Sequence, residues 1–110
     1  MTFEVILTAG FRKELKQIAK RHRQILSDIK ILIEELAKTP EIGTNLGKNV
    51  YKIRLAISGT SKGKSGGARV ISYVKIVDNT VVLAEIYLKS QYDTVDADGV
   101  IKKLADEGFV

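Results

Sequence analysis

The chain has no cysteine and no tryptophan, and only one histidine, one proline and one methionine in its 110 residues. Without cysteine there is no disulfide framework, no thiolate metal site and no cysteine nucleophile. The lone histidine, His22, cannot build a histidine metal cluster or a paired-histidine acid–base site. Neither a metal nor a small-molecule cofactor is expected. No run of about 20 apolar residues is present, so no membrane span is expected, and the first residues lack the apolar core of a signal peptide. A cytoplasmic protein is the simplest expectation.

The absence that says most is of negative charge. Between Ile42 and Val77 there is no aspartate or glutamate, yet Lys48, Lys52, Arg54, Lys62, Lys64, Arg69 and Lys75 all fall there. Residues 1–41 carry eight basic and six acidic side chains, and residues 78–110 carry three and seven, so the net +5 sits in the middle third. A concentrated positive field without local carboxylates points to a polyanionic partner, nucleic acid first. Length and an ordinary 45% hydrophobic fraction fit one globular domain over residues 1–110.

Phe3 to Leu7 is a short run of strand formers, and Thr8 is placed to cap a helix after it. Phe11, Leu15, Ile18, Ile25, Ile29, Leu32 and Leu36 recur at helical spacing and form one apolar face. The pattern fits either one long helix or two antiparallel helices broken within Lys20-Arg21-His22-Arg23-Gln24. A single helix of about 30 residues would be about 45 Å long, too long for a compact domain of this size, which favours the hairpin. Pro40 stops the second helical segment, and Gly43 and Gly47 mark a connecting loop. Val50 to Ile57 alternates, with Tyr51, Ile53, Leu55 and Ile57 on one face and Lys52 and Arg54 on the other. Ser58 to Gly67 is a loop built only of Ser, Gly, Thr and Lys. A strand over Ala68 to Val77 sets Val70, Val74 and Ile76 against Arg69, Ile71, Tyr73 and Lys75. Asp78-Asn79 signals a hairpin turn, Thr80 to Lys89 a central strand, and Thr94 to Ala105 a final helix with Val100, Ile101 and Leu104 inward. The order β-α-α-β-β-β-α gives an α+β domain: a small, mostly antiparallel sheet with an N-terminal helical hairpin on one face. The face bearing Lys52, Arg54 and Arg69 is expected to be open.

Gly59 to Ser65 approaches a P-loop, but it has three residues between its glycines where four are required, and it leads into a strand. It reads as a basic hairpin loop whose Lys62 and Lys64 can touch phosphates. Glu34 and Glu35 are adjacent on a helix and do not face each other, and His22 carries no catalytic role. Lys52 and Arg54 share one side of their strand, and an antiparallel partner brings Arg69 to the same side, with Tyr73 further along. Like charges this close are destabilising unless an anion or partner offsets them.

Three segments carry a family resemblance: Tyr51-Lys52-Ile53-Arg54-Leu55-Ala56, Gly63-Lys64-Ser65-Gly66-Gly67-Ala68-Arg69-Val70-Ile71-Ser72-Tyr73 and Ile86-Tyr87-Leu88-Lys89-Ser90. With the Phe11 to His22 helix, Asp28-Ile29, Pro40 and Leu46-Gly47, they resemble the RelE/ParE toxin superfamily of type II toxin–antitoxin systems, nearest to its HigB/RelE-like mRNA interferases. The resemblance spans residues 3–105 and resolves the helices toward a hairpin. It implies a ribosome-dependent, metal-independent endoribonuclease that cuts mRNA in the A site and is silenced by a cognate antitoxin protein. Matching motif by motif, it assigns catalysis to Lys52, Arg54, Arg69 and Lys89. Lys89 stands where several relatives carry arginine, and Tyr92 lies near, at a different offset from, a tyrosine that serves some members. Lys48, Lys62, Lys64, Tyr73 and Tyr92 are the expected RNA contacts.

That chemistry suits these groups. When the RNA 2′-hydroxyl attacks the adjacent phosphorus, negative charge gathers on the phosphorane oxygens, and planar guanidinium groups bond two such oxygens at once. Arg69 and Arg54 are expected in that role. A neighbouring like charge disfavours the charged form of a lysine, making Lys52 the candidate base and Lys89 the candidate acid. Two other readings share the fold: a ParE-like inhibitor of DNA gyrase, and an inactive nucleic-acid- or antitoxin-binding module.

Overall fold

The structure, a computed structural model, describes residues 2–59, 66–92 and 94–110. Its elements are β1 (Glu4–Leu7), α1 (Ala9–Ala19), α2 (Ile25–Lys38), β2 (Thr44–Gly47), β3 (Val50–Leu55), β4 (Ala68–Lys75), a 3-10 turn (Ile76–Asp78), β5 (Thr80–Leu88) and α3 (Ala97–Asp106). The strands make one five-stranded sheet in the order β1-β5-β4-β3-β2. β1 runs parallel to β5, and every other pair is antiparallel. This is the mostly antiparallel α+β architecture the sequence predicts. No described helix is long and apolar enough to cross a membrane.

Local chemistry sets the helical hairpin. The Thr8 hydroxyl accepts the Phe11 N–H at 3.0 Å, as expected of a cap, and donates to the Ala84 carbonyl at 3.3 Å, fastening α1 to β5. The break falls at residues 20–24 without glycine or proline. The N–H groups of Lys20 and Arg21 turn back to the Gln17 and Ile18 carbonyls, and that of Ile25 bonds His22. These tightened three-residue bonds satisfy helix-end groups that an uninterrupted helix would pair differently. α2 ends at Thr39, next to Pro40, because the residue before proline is pushed out of the helical region. Phe11, Ile18, Ile25, Ile29, Leu32 and Leu36 then pack onto Tyr51, Ile53, Val70, Val74, Leu83 and Ile86 from one face of the sheet.

The structure corrects three expectations. The segment read as a loop around Gly43 and Gly47 contains β2, paired with β3 through Thr44–Lys52 and Asn45–Tyr51. A two-residue turn joins them, with Lys48 and Asn49 at φ 54° and 65°, the geometry of a type I′ hairpin. A strand of Thr, Asn, Leu and Gly has too little apolar alternation to stand out in sequence. Ile76 does not share the Val70–Val74 face: β4 stops at Lys75, and Ile76 lies in the 3-10 turn at 57% exposure. The second sheet face is not open. Val100 and Leu104 of α3 pack there on Val50, Ile71, Val82 and Ala84, with the Asp96 carboxylate capping α3 through the N–H groups of Asp98 and Gly99.

Candidate nucleic-acid interface

Register brings the basic residues together. Arg54 on β3 is directly opposite Arg69 on β4, which is directly opposite Tyr87 on β5. Directly opposed residues point to the same face with their Cα atoms about 4.5–5.5 Å apart, so the three form one row across the sheet. The next row on that face is Lys52, Ile71 and Glu85, and the next is Val50, Tyr73 and Val82. A β-bulge between Ile71 and Ser72 leaves Ala84 as an extra residue in β5, which turns both Ala84 and Glu85 away from the helical hairpin. Beyond the Arg54 row, the Lys89 N–H bonds the Gly67 carbonyl at 3.0 Å, extending the β4–β5 pairing by one step and placing Lys89 at the end of the sheet.

The four proposed catalytic positions differ in access. Arg54 and Lys89 are exposed and Lys52 is half-buried, but Arg69 is only 2% exposed. The expectation of an open guanidinium is therefore corrected for Arg69. Its Nη1 donates to the Ala68 carbonyl at 3.1 Å, which fixes the side chain along its own strand. Lys52 and Arg54 together line a shallow groove of ≈ 460 Å³ with Ile42, Gly43 and Thr44. Gly43 is required at its wall. It has φ 106°, and a Cβ there would stand 2.5 Å from the Lys52 carbonyl oxygen.

The groove is braced from the helical side. Asp28, on α2, is the one buried carboxylate among the described residues. It accepts the Ser58 N–H at 2.9 Å and the Ser58 hydroxyl, tying down the chain just past β3.

The expected RNA contacts divide. Tyr92 stacks on Tyr87 with ring centroids 4.2 Å apart and planes at 17°, which places it beside the Arg54–Arg69–Tyr87 row despite its unusual offset in sequence. Partial burial, then the Glu85 and Glu14 carboxylates, raise the Tyr92 phenol pKa, keeping it a proton donor at neutral pH. Tyr73 lies opposite Val50, at the far end of the sheet, and packs against the cluster that α3 covers. Lys48 is also at that end, in the β2–β3 turn, and its ammonium pairs with Asp98 of α3. The hydrogen bond and charge of Asp98 raise its pKa. Lys62 and Lys64 lie outside the described residues.

Sequence reasoning treated residues 42–77 as isolated from acid, but Asp98 reaches Lys48, and Asp78 meets Lys75 at 3.0 Å. It also missed Glu85, a half-buried carboxylate in the Lys52 row. The signal was there: Glu85 is the one charge inside an otherwise apolar central strand. Among the described residues, no three acidic or histidine side chains converge as metal ligands would.

No family model matches the sequence. No curated protein matches it either. Solved structures do match: an arginine-to-alanine double mutant of the Escherichia coli toxin RelE in its free state has a TM-score of 0.61 at 19% identity, covering 98% of this chain and 99% of that one. The fold is the RelE fold. A chain of the Mycobacterium tuberculosis toxin–antitoxin complex RelBE2 also matches, with a TM-score of 0.51 at 19% identity over 80% of this chain and 99% of that one. Within this RelE fold, the Arg54–Arg69–Tyr87 row occupies the end of the sheet away from the β2–β3 turn.

Proposed function

We propose that the chain is the toxin of a type II toxin–antitoxin system and cuts mRNA in the ribosomal A site, silenced by a cognate antitoxin protein. The observation that carries this reading is the convergence of Lys52, Arg54, Arg69 and Lys89 at one end of a RelE-fold sheet. The RNA 2′-oxygen attacks the adjacent phosphorus and the bond to the 5′-oxygen breaks, leaving a 2′,3′-cyclic phosphate and a 5′-hydroxyl. Lys52 takes the 2′ proton and Lys89 gives one to the leaving oxygen. Because Arg54 is exposed and Arg69 is not, Arg54 is the guanidinium that meets the phosphorane oxygens. Arg69 acts from beneath as a fixed positive charge beside it. The stacked Tyr92 offers its outer face to a base.

Induced expression tests the reading. An interferase stops translation, and reporter mRNA becomes cut in register with its codons, only when ribosomes are present. Intact mRNA accompanied by DNA damage and filamentation would instead identify a gyrase poison, and intact mRNA with neither effect would identify an inactive binding module.

A further inference from the structure

We infer that Glu85 holds a guanine base of the bound RNA, in a cleft between β5 and the start of α3, and so selects where the strand is cut. The cleft has a volume of ≈ 190 Å³. It is lined by Glu85 of β5, by Tyr92, Thr94 and Val95 beyond that strand, and by the first turn of α3. The choice of an RNA base rests on the reading of the sheet as an RNA-cutting surface; the cleft itself does not.

Glu85 stands in an unusual place for a carboxylate. β5 lies inside the sheet, between β1 and β4, and the neighbouring Ala84, Ile86 and Tyr87 are all buried. Regular alternation would turn Glu85 toward the helical hairpin, where Leu83 packs. The β-bulge prevents this. Ile71 is opposite Glu85 while Ser72 is opposite Leu83, so the extra residue re-aims Glu85 to the α3 side. Among the described residues, no side-chain hydrogen bond or ion pair engages its carboxylate. Its charge does reach Tyr92: after burial, it is the next cause raising the phenol pKa, which sets carboxylate and ring side by side. A half-buried carboxylate is stabilised by any ligand that brings it donors.

The walls of the cleft select the ligand. An ionised carboxylate only accepts hydrogen bonds, through two oxygens. Of the four RNA bases, guanine alone offers two adjacent donors on its Watson–Crick edge, N1–H and the N2 amino group, which the two oxygens can bond in parallel. Adenine and cytosine present one donor beside an acceptor, and the N–H of uracil lies between two carbonyls. Tyr92 and Val95 supply apolar contact for an unstacked base. A phosphate is refused, because Glu85 and Asp96 both repel it and the N–H groups of Asp98 and Gly99 are already bonded to Asp96. The base therefore enters the cleft while its phosphates stay with Arg54 and Lys89. Along the strand Glu85 is two residues from Tyr87 and four from Lys89, about 7 and 14 Å, so the base belongs to a nucleotide next to the proposed cut.

The test is fluorescence anisotropy of the full chain with labelled uridine pentanucleotides whose central nucleoside is guanosine, inosine, adenosine or uridine. All riboses are 2′-O-methylated, which blocks the attacking hydroxyl and prevents cutting. Guanosine is expected to bind roughly 10–100-fold more tightly than uridine. Inosine keeps N1–H but lacks the amino group and should fall between, a comparison that needs no variant. Glu85→Gln pairs one acceptor with one donor, a pattern every base can match, and should bind guanosine and uridine nearly alike. In translated reporter mRNA, guanine should be enriched at one fixed position beside the cuts, and Glu85→Gln should scatter them. The inference is overturned by equal wild-type affinity for guanosine and uridine, by no binding of the guanosine oligomer at millimolar concentration, or by a guanosine preference that survives Glu85→Gln. Guanosine-selective binding without mRNA cutting would uphold the subsite and defeat the nuclease reading, whereas cutting without guanine preference would do the reverse.

Discussion

Asp28 is the side chain whose removal most directly tests how the candidate site is held. It is a buried carboxylate on α2 that accepts two hydrogen bonds from Ser58, four residues after Arg54. Hydrogen bonds to a charged group contribute about 1.5–3 kcal/mol each, but the Ser58 end is exposed and its freed groups would return to water. The estimate for Asp28→Ala therefore falls at or just below the bottom of the summed range of about 3–6 kcal/mol, to about 2–3 kcal/mol. For a domain of this length the entropy of unfolding makes that a fall in Tm of roughly 8–12 °C. Calorimetry or thermal circular dichroism reads it directly. Asp28→Asn keeps the shape and one carbonyl acceptor, so it should lose about half as much, and Ser58→Ala should lose less again because the backbone bond survives. In the double variant the two losses should not add, since each removes the same contact. The mRNA-cutting rate should fall further than stability alone explains at a temperature where both proteins are folded, because Asp28 and Arg54 line the same cleft. An Asp28→Ala protein within 1 °C of wild type, or strict additivity with Ser58→Ala, would refute the bracing role.

Other substitutions give simpler outcomes. Arg54→Ala is expected to slow cleavage of translated mRNA by roughly 10²–10³ with the fold intact, and Arg54→Lys to recover little of it, because one ammonium cannot form the bidentate contact; primer extension on a reporter transcript measures both. Thr8→Ala should cost about 1–2 kcal/mol in chemical denaturation through loss of the α1 cap and its link to Ala84, whereas Thr8→Ser should cost much less. Gly43→Ala, which forces a Cβ onto the Lys52 carbonyl at a positive φ, should lower Tm by several degrees and widen the Lys52–Arg54 groove. Lys48→Ala should leave Tm nearly unchanged, since both partners of its ion pair are exposed. The pKa of Lys48 is raised above 10.5, so any stability it contributes is fully present below that value and is lost only as pH climbs through the higher folded-state pKa. A pH titration of Tm between 6 and 9 should therefore show no difference between this variant and wild type.

What the sequence disclosed, it disclosed through periodicity. The helical stripe from Phe11 to Leu36, the alternation through Tyr51, Ile53 and Leu55, and the placing of Lys52 and Arg54 on the opposite side all follow from side-chain spacing, and the sheet keeps them. Direct opposition of Arg54 and Arg69 follows from antiparallel pairing once the strands are known. What stayed hidden depends on neighbours distant in sequence. Arg69 looks like Arg54 in sequence, yet one is buried and the other exposed. β2 is too short and polar to announce itself, and only the two positive-φ residues after it show why it pairs. The covering of the second sheet face by α3 was half visible, since Val100 and Leu104 were marked as inward-facing, but no spacing rule says which surface an amphipathic helix will choose.

That choice decides which of the many cations can act together. α3 lies over Val50, Ile71, Val82 and Ala84, so it claims the middle and the β2–β3 end of the face, and its Asp98 neutralises Lys48 there. A polyanion approaching from that side meets a helix whose first turns carry Asp96 and Asp98. At the opposite end the exposed cations among the described residues are Arg54, Lys89 and those of the Lys20–Arg23 turn, with Tyr92 stacked on Tyr87 and the Glu14 carboxylate close by. Exposed cations thus outnumber exposed acids at this end among the described residues, whereas acid screens the other, an asymmetry that would orient a polyanion if one binds as proposed. The same arrangement explains why net charge alone, or a count over thirds of the sequence, misplaces the surface. The exposed cations gathered at this end come from the α1–α2 turn, β3 and the end of β5, and only the fold makes them neighbours.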